Sequence, residues 1–148
     1  MDNMPNERPL IGEILIKRKR ITKEQLEHAL QVQKKESGFV GEILVKLGYL
    51  EERDIVVALV VQCGLPYIAV NKYAIDPQVV RMIPKETACQ ERLIALDRIG
   101  DILSVVMTNP LSGEKKAKLE ALTKCRIATF ISTKSEIEEA IARNYAHV

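Results

Sequence analysis

The sequence predicts an α+β fold: an N-terminal four-helix repeat bundle followed by a small β-α-β-β-α-β-α domain with a mixed sheet. One observation is a repeat with helical periodicity in the N-terminal half, and another is a series of short apolar runs in the C-terminal half. The composition, 47% apolar with two Phe and no Trp, predicts an aliphatic core. We expect a flexible N-terminus over residues 1–8, a duplicated helix-pair module over 9–63 and a small α/β domain over 64–148.

The N-terminal module contains a repeat with an offset of 29 residues. GEILIK at 12–17 returns as GEILVK at 41–46, and nine of the 23 positions that align 11–33 with 40–62 are identical. Self-similarity at a fixed offset indicates one supersecondary unit packed against a copy of itself. Because a two-helix unit cannot bury its apolar face alone, we expect the two copies to form a four-helix bundle.

Each copy is predicted to be a short helix, a tight turn and a longer helix. Thr22 and Gln25 form a capping box at the start of the first longer helix, and Gly48 is a left-handed stop in the second copy. One face of each longer helix carries residues at i, i+3, i+4 and i+7: Leu26, Ala29, Leu30 and Gln33, then Ile55, Ala58, Leu59 and Gln62. Both stripes close with glutamine. Either each glutamine lies at a bundle end in water, or the two are donors for a pseudo-symmetric ligand.

The C-terminal half alternates strand and helix signals. LPYIAV (65–70) is a strand candidate, and Asp76 caps a helix that ends near Met82. RLIALD (92–97) and DILSVVM (101–107) predict a hairpin with its turn at Ile99 and Gly100.

The rest of this half continues the same alternation. TNPLSG (108–113) is a predicted loop, which EKKAKLEAL (114–122) follows as a helix. CRIATFIST (125–133) predicts a strand, and residues 134–145 an amphipathic helix capped by Thr133.

Several function classes are disfavoured by the residues themselves. Cys63, Cys89 and Cys125 form no CxxC pair, so we expect no disulfide or metal site but small buried hydrophobes in a reducing cytosol. No phosphate loop or GxGxxG motif is present, and His28 is expected to be a solvated surface residue. We therefore expect no enzyme activity.

Nucleic-acid and membrane functions are disfavoured as well. The net charge is only +2, and KRKR (17–20) is expected to be a solvated helix end rather than a nucleic-acid site. A signal peptide and a long apolar run are not recognisable in the sequence, which predicts a soluble, cytoplasmic protein without direct membrane insertion.

The order of motifs resembles one family. The doubled phrase, GLPYIAV (64–70), the stretch over 75–110 and SEIEEAI (135–141) resemble the N-terminal domain of the traffic ATPases of bacterial type II secretion and type IV pilus assembly. The resemblance covers residues 9–145 and implies a repeated helical module followed by a small α/β domain. Since the Walker motifs of the ATPase core are not in this sequence, it implies a stand-alone homologue or a fragment that precedes the motor.

One branch of this family binds cyclic di-GMP through tandem motifs of Arg-Leu-Gly, a later Gly, Leu and Ile positions and a closing Gln. The positions that fit are Gly12, Ile14, Leu15, Leu26, Leu30 and Gln33 in the first motif and Gly41, Leu44, Gly48, Ile55, Leu59 and Gln62 in the second. The arginine positions, however, hold Leu10 and Phe39, and the later glycine of the first motif is Lys19. Asn109 replaces an acidic residue that could receive guanine.

The resemblance implies two functions. The first is a non-catalytic interaction module, without a cofactor, that docks onto a platform component or the motor ATPase, cytoplasmic or peripheral at the inner membrane through that partner. The alternative is a cyclic di-GMP sensor with contacts from Leu10, Gly12, Leu15, Leu26, Leu30, Gln33, Phe39, Gly41, Leu44, Leu59, Gln62 and Asn109. Losing two charged hydrogen bonds of roughly 1.5–3 kcal/mol each would weaken binding by about 10²- to 10⁴-fold, unless Arg8 or Arg18 supplied the charge. This loss favours the interaction module.

Overall fold

Residues 11–147 are described by a computed structural model, in which eight α-helices and a three-stranded mixed sheet confirm the predicted α+β class. The chain divides into one unit that ends at Gly64 and one that begins at Leu65. The helices of the first unit are α1 (Ile11–Lys17), α2 (Lys23–Glu36), α3 (Val40–Lys46) and α4 (Glu52–Cys63).

The second unit contains four helices and the sheet. In chain order its elements are α5 (Pro77–Val80), α6 (Lys85–Glu91), β1 (Leu93–Ile99), β2 (Ile102–Met107), α7 (Gly113–Thr123), β3 (Arg126–Ile131) and α8 (Lys134–Asn144), with 3-10 turns at Val70–Lys72 and Tyr145–His147.

The core of the first unit is made of repeat-equivalent pairs. Each pair is separated by the 29-residue offset, and all members are buried: Ile14 and Ile43, Leu15 and Leu44, Ile21 and Leu50, Ala29 and Ala58. Contacts join α1 with α3 and α4, α2 with α3, and α3 with α4. The two copies therefore bury their apolar faces together, as the repeat predicts.

The two short helices of the first unit end in the same way. At the end of α1 the Arg20 N–H donates to the Leu15 carbonyl at 2.9 Å, and at the end of α3 the Tyr49 N–H donates to the Leu44 carbonyl at 3.0 Å. This six-to-one bond requires a left-handed residue just before it. Gly48 fills that position with φ 82°, and its equivalent Lys19 does so with φ 61°. The later glycine of the motif is thus a helix-stop position.

The longer helices begin at equivalent residues. At α2 the predicted capping box is confirmed, because the Thr22 N–H donates to Gln25 Oε1 at 2.9 Å and the Gln25 N–H donates to Thr22 Oγ1 at 3.1 Å. At α4 the Glu51 N–H donates to Asp54 Oδ2 at 2.8 Å. Both N-termini thus satisfy a backbone donor with the side chain three residues later.

The sheet has the order β1-β2-β3 and is mixed. β1 pairs antiparallel with β2 and forms the predicted hairpin, while β2 pairs parallel with β3 after the crossover through α7. A register shift near Leu96 interrupts the hairpin, so that Ala95 pairs with Val105 and Asp97 with Ser104. The last helix, α8, begins at the predicted cap Thr133.

The structure corrects the prediction of a strand over LPYIAV (65–70). Only Tyr67 forms a bridge with Ile131, and the chain then turns into the 3-10 turn Val70–Lys72. The Ser132 hydroxyl donates to the Ile68 carbonyl and accepts from the Val70 N–H, so a side chain satisfies groups that a neighbouring strand would otherwise pair. Further along, α5 ends at Val80 rather than near Met82, and α6 was not predicted.

Two of the three cysteines contradict the prediction of burial. Cys125 is buried before β3, whereas Cys63 is half-buried and Cys89 is exposed on α6. All three are free thiols. The reason for the error at Cys89 is its helix position, since Ala88 is the residue that α6 buries.

Candidate functional site

The first glycine of each motif is a close-packing position. A Cβ at Gly12 would lie 2.8 Å from a Leu26 methyl, and one at Gly41 would lie 3.1 Å from the Ile55 Cδ1. Leu26 and Ile55 are themselves repeat equivalents. Each short helix therefore contacts the following long helix through a glycine, and the doubled GEIL phrase supports packing in both copies.

The aliphatic motif residues divide into buried and exposed ones. Leu15, Leu44 and Leu59 are buried, and Leu26 is half-buried. Leu30 is 40% exposed, whereas its equivalent Leu59 is 2% exposed. The predicted apolar face of α2 is therefore wrong at Leu30, and the two motifs do not present matching aliphatic surfaces.

The two closing glutamines also differ. Gln33 Nε2 donates to the Gly38 carbonyl at 2.8 Å and so ties the end of α2 to the linker before α3. Gln62 is exposed on the last turn of α4. Gln33 therefore makes a local structural contact in this structure, whereas Gln62 faces solvent, and the two glutamines have different surroundings.

The two motif positions that would carry an arginine to bind the ligand hold uncharged residues in this chain. Phe39 is half-buried at the N-terminus of α3, and Leu10 lies outside the described residues, as does Arg8. Arg18, the other arginine that could supply the missing charge, has a buried Nε with no hydrogen-bond partner among the residues that the structure describes. Within KRKR (17–20), Arg18 therefore carries a buried donor that no described residue uses.

Two further polar contacts join the first copy of the repeat to the second. Arg20 lies 3.8 Å from Asp54 in a partly exposed ion pair. His28 is exposed, as predicted, but its Nδ1 lies 2.5 Å from the Tyr49 hydroxyl. Surface pairs of this kind contribute little to stability, and neither arrangement positions a nucleophile or a base for catalysis.

Asn109 lies in the second unit, half-buried in the loop between β2 and α7. Beside it Thr108 is buried, and the Thr108 hydroxyl has no hydrogen-bond partner within residues 11–147. Ser112 caps α7 by accepting from the Lys115 N–H at 3.2 Å. The sequence stretch TNPLS thus forms a loop that ends in a capped helix, with amide and hydroxyl groups in place of a carboxylate.

The segment after Gly64 is held against α8 by polar contacts. The Tyr67 hydroxyl donates to Glu136 Oε2 at 2.6 Å, and Asn71 Nδ2 donates to Glu139 Oε1 at 3.2 Å. The hydrogen bond to Glu136, together with partial burial, raises the pKa of Tyr67 to about 12. Sequence reasoning missed these contacts, because they join residues nearly 70 positions apart.

Among the described residues, no group of three or more His, Cys, Asp or Glu side chains is arranged to hold a metal ion. No helix over residues 11–147 is both long enough and apolar enough to cross a membrane.

A comparison with protein families identifies the second unit. Residues 63–148, more than half of the chain, match the MshEN domain. The chain belongs to the MshEN domain family. Curated relatives agree: the type IV pilus assembly ATPase PilB of Myxococcus xanthus is 32% identical over 136 residues, and PilB of Thermus thermophilus is 30% identical over 137 residues. These alignments cover 92% and 91% of this chain but only 24% and 15% of the relatives.

Solved structures show the same fold. A structure of MshE with cdg (cyclic di-GMP) matches this MshEN chain with a TM-score of 0.71 and 27% identity, covering 93% of this chain and 100% of that one. The N-terminal domain of XpsE matches with a TM-score of 0.76 and 19% identity, covering 94% and 98%. The predicted family is thus confirmed: the chain corresponds to the N-terminal domain of secretion and pilus ATPases, a non-catalytic domain, and the ATPase core is not within its 148 residues.

Proposed function

We propose that this MshEN chain is a docking and regulatory module of a bacterial type II secretion or type IV pilus assembly system, which binds a platform component or the motor ATPase. The proposal is carried by one observation. Both copies of the repeat keep the residues that pack the helices, such as Gly12 and Gly41, while the two arginine positions hold the uncharged Leu10 and Phe39. A scaffold retained without ligand-reading charge is expected to bind protein rather than a dinucleotide.

The direct test is binding to defined segments of the machine. The purified chain is immobilised and exposed to the cytoplasmic segments of the cognate platform proteins and to the separate ATPase core. The equivalent segments of an unrelated secretion system are the control. Saturable binding to one cognate segment supports the proposal. Failure to bind any of them, combined with micromolar binding of cyclic di-GMP, contradicts it.

A second candidate function is cyclic di-GMP sensing, with the ligand contacts that the tandem motifs predict. It is favoured by the similarity to MshE, whose structure contains this ligand, and by the unused Nε of Arg18. Restoring one arginine tests it, because a charged hydrogen bond of roughly 1.5–3 kcal/mol corresponds to about a 10- to 150-fold gain in affinity. Phe39→Arg should bind more tightly than Phe39→Gln, the uncharged control, if the second motif still faces a ligand. Equal, undetectable binding by both variants contradicts this candidate.

A further inference from the structure

The outer face of α4 differs from that of its repeat equivalent, α2. At three positions the polar residues of α2 are replaced by valine in α4: Glu27 by Val56, His28 by Val57 and Gln31 by Val60. The first copy of the repeat, α1 and α2, therefore folds with polar residues on the equivalent face of its longer helix. The valines of α4 are therefore not needed by the packing that both copies share.

Together with Val61, whose equivalent in α2 is also a valine (Val32), these valines form a partly exposed apolar surface. Val57 is 39% exposed and Val61, one turn later, is 58% exposed, while Val56 and Val60 are half-buried. We call Val56, Val57, Val60 and Val61 the α4 stripe. A helix that is apolar on nearly all sides is usually covered on all of them, and an exposed apolar patch commonly marks an interaction site.

The two ends of the α4 stripe have complementary electrostatic character. At 3.6 residues per turn, Arg53 and Gly64 both lie within about 20° of the centre line of the stripe, one at each end. Arg53 is exposed in the first turn of α4, and the last turn carries no basic residue. The last carbonyls of a helix lack intrahelical partners and form the negative end of its dipole. Gly64, with φ 67°, places no side chain over them.

We propose that the α4 stripe is the interface of a homodimer in which two copies of this chain pack α4 against α4 in antiparallel orientation. About a two-fold axis midway along the helix, Val57 meets Val60 of the other copy, and Arg53 reaches the C-terminal carbonyls of the other α4. The second copy supplies an apolar surface that covers the α4 stripe. It also supplies an arginine beside the C-terminal end of α4, where the last turn has no basic residue. Glu52, which precedes Arg53 in the sequence, lies about 110° from the centre line, and so on the flank of the α4 stripe rather than on the stripe itself. This inference is independent of the docking role proposed above.

The test is the mass of the full chain in solution, measured by sedimentation equilibrium over about a hundredfold range of concentration. We expect a concentration-dependent rise towards twice the 16.7 kDa of one chain. Val57→Glu should abolish the dimer, and Arg53→Glu should raise its dissociation constant at least tenfold. Gln31→Glu, which adds the same charge at the α2 position equivalent to Val60, should leave it unchanged.

Three results would overturn the proposal: a monomer at every concentration, a dimer that survives Val57→Glu, or equal loss with Gln31→Glu. Circular dichroism separates these results from unfolding, because the side chain of Val57 is partly exposed and its replacement should leave the helical signal intact. If Val57→Glu lowers that signal, Val61→Glu, at the more exposed position, replaces it in the same measurement with the same expected loss of the dimer.

Discussion

Replacing Lys19 with glycine should stabilise the protein, although it removes a side chain. Lys19 follows α1 with φ 61°, the position that its equivalent Gly48 fills with φ 82°. A left-handed conformation costs a residue with a Cβ roughly 1–2 kcal/mol, whereas glycine adopts it freely but loses about 0.5–1 kcal/mol through greater freedom in the unfolded chain. The expected net gain in the free energy of unfolding is about 0.5–1 kcal/mol.

Lys17→Gly is the matched control, because it makes the same chemical change two residues earlier. Lys17 is the last helical residue of α1, so glycine there should lower the free energy of unfolding by up to about 1 kcal/mol. The two variants are thus expected to differ in sign as well as in size. Neither substitution removes apolar contacts of the core, since both lysines are exposed.

Urea unfolding followed by far-ultraviolet circular dichroism measures the effect. The Lys19→Gly midpoint should lie above that of the unmodified chain and the Lys17→Gly midpoint below it, with similar slopes. The reasoning is refuted if both variants are destabilised equally, since the left-handed stop would then contribute nothing to the end of α1.

Three further changes test other contacts. Gly12→Ala should lower the free energy of unfolding by about 1 kcal/mol, because the new methyl would lie 2.8 Å from Leu26; an unchanged or higher urea midpoint would contradict the close packing. Tyr145→Phe should cost about 1–2 kcal/mol, since the buried hydroxyl donates to the Ile83 carbonyl at 2.7 Å, and an unchanged melting temperature would count against that bond. Glu136→Gln should lower the pKa of Tyr67 from about 12 towards 10, measured by tyrosine absorbance. Because the folded pKa is raised, the contribution of Tyr67 is complete below about pH 10 and disappears as the pH rises through 12; an unchanged titration would contradict the role of Glu136.

The parts of the fold that local sequence could predict are those determined by residues a few positions apart. The capping box of Thr22 and Gln25 and the cap at Thr133 depend on neighbours three residues away. The hairpin depends on two apolar runs around Gly100, which has φ 61°. The core of the first unit followed from the repeat, because each buried position occurs twice with the same offset.

Two of the errors, at segment 65–70 and at Leu30, have a different cause, which is dependence on distant residues. The segment 65–70 has the composition of a strand and pairs briefly with Ile131, but Ser132 then bonds its backbone and α8 binds Tyr67, and neither is visible in the local pattern. Helix α6 has seven residues and follows Pro84, so its periodicity is too short to recognise. The exposure of Leu30 could not be read from a spacing that it shares with buried Leu59, since only the tertiary packing of the bundle separates them.

The central claim is that this MshEN chain retains the helical scaffold of the tandem motifs without their ligand-reading charge. The most direct test is calorimetric titration of the purified chain with cyclic di-GMP, with GTP and ATP as controls and Phe39→Arg measured alongside. We expect no saturable heat from the unmodified chain up to about millimolar ligand. Saturable micromolar binding of cyclic di-GMP by the unmodified chain would contradict the claim, and would mean that other residues have replaced the arginines.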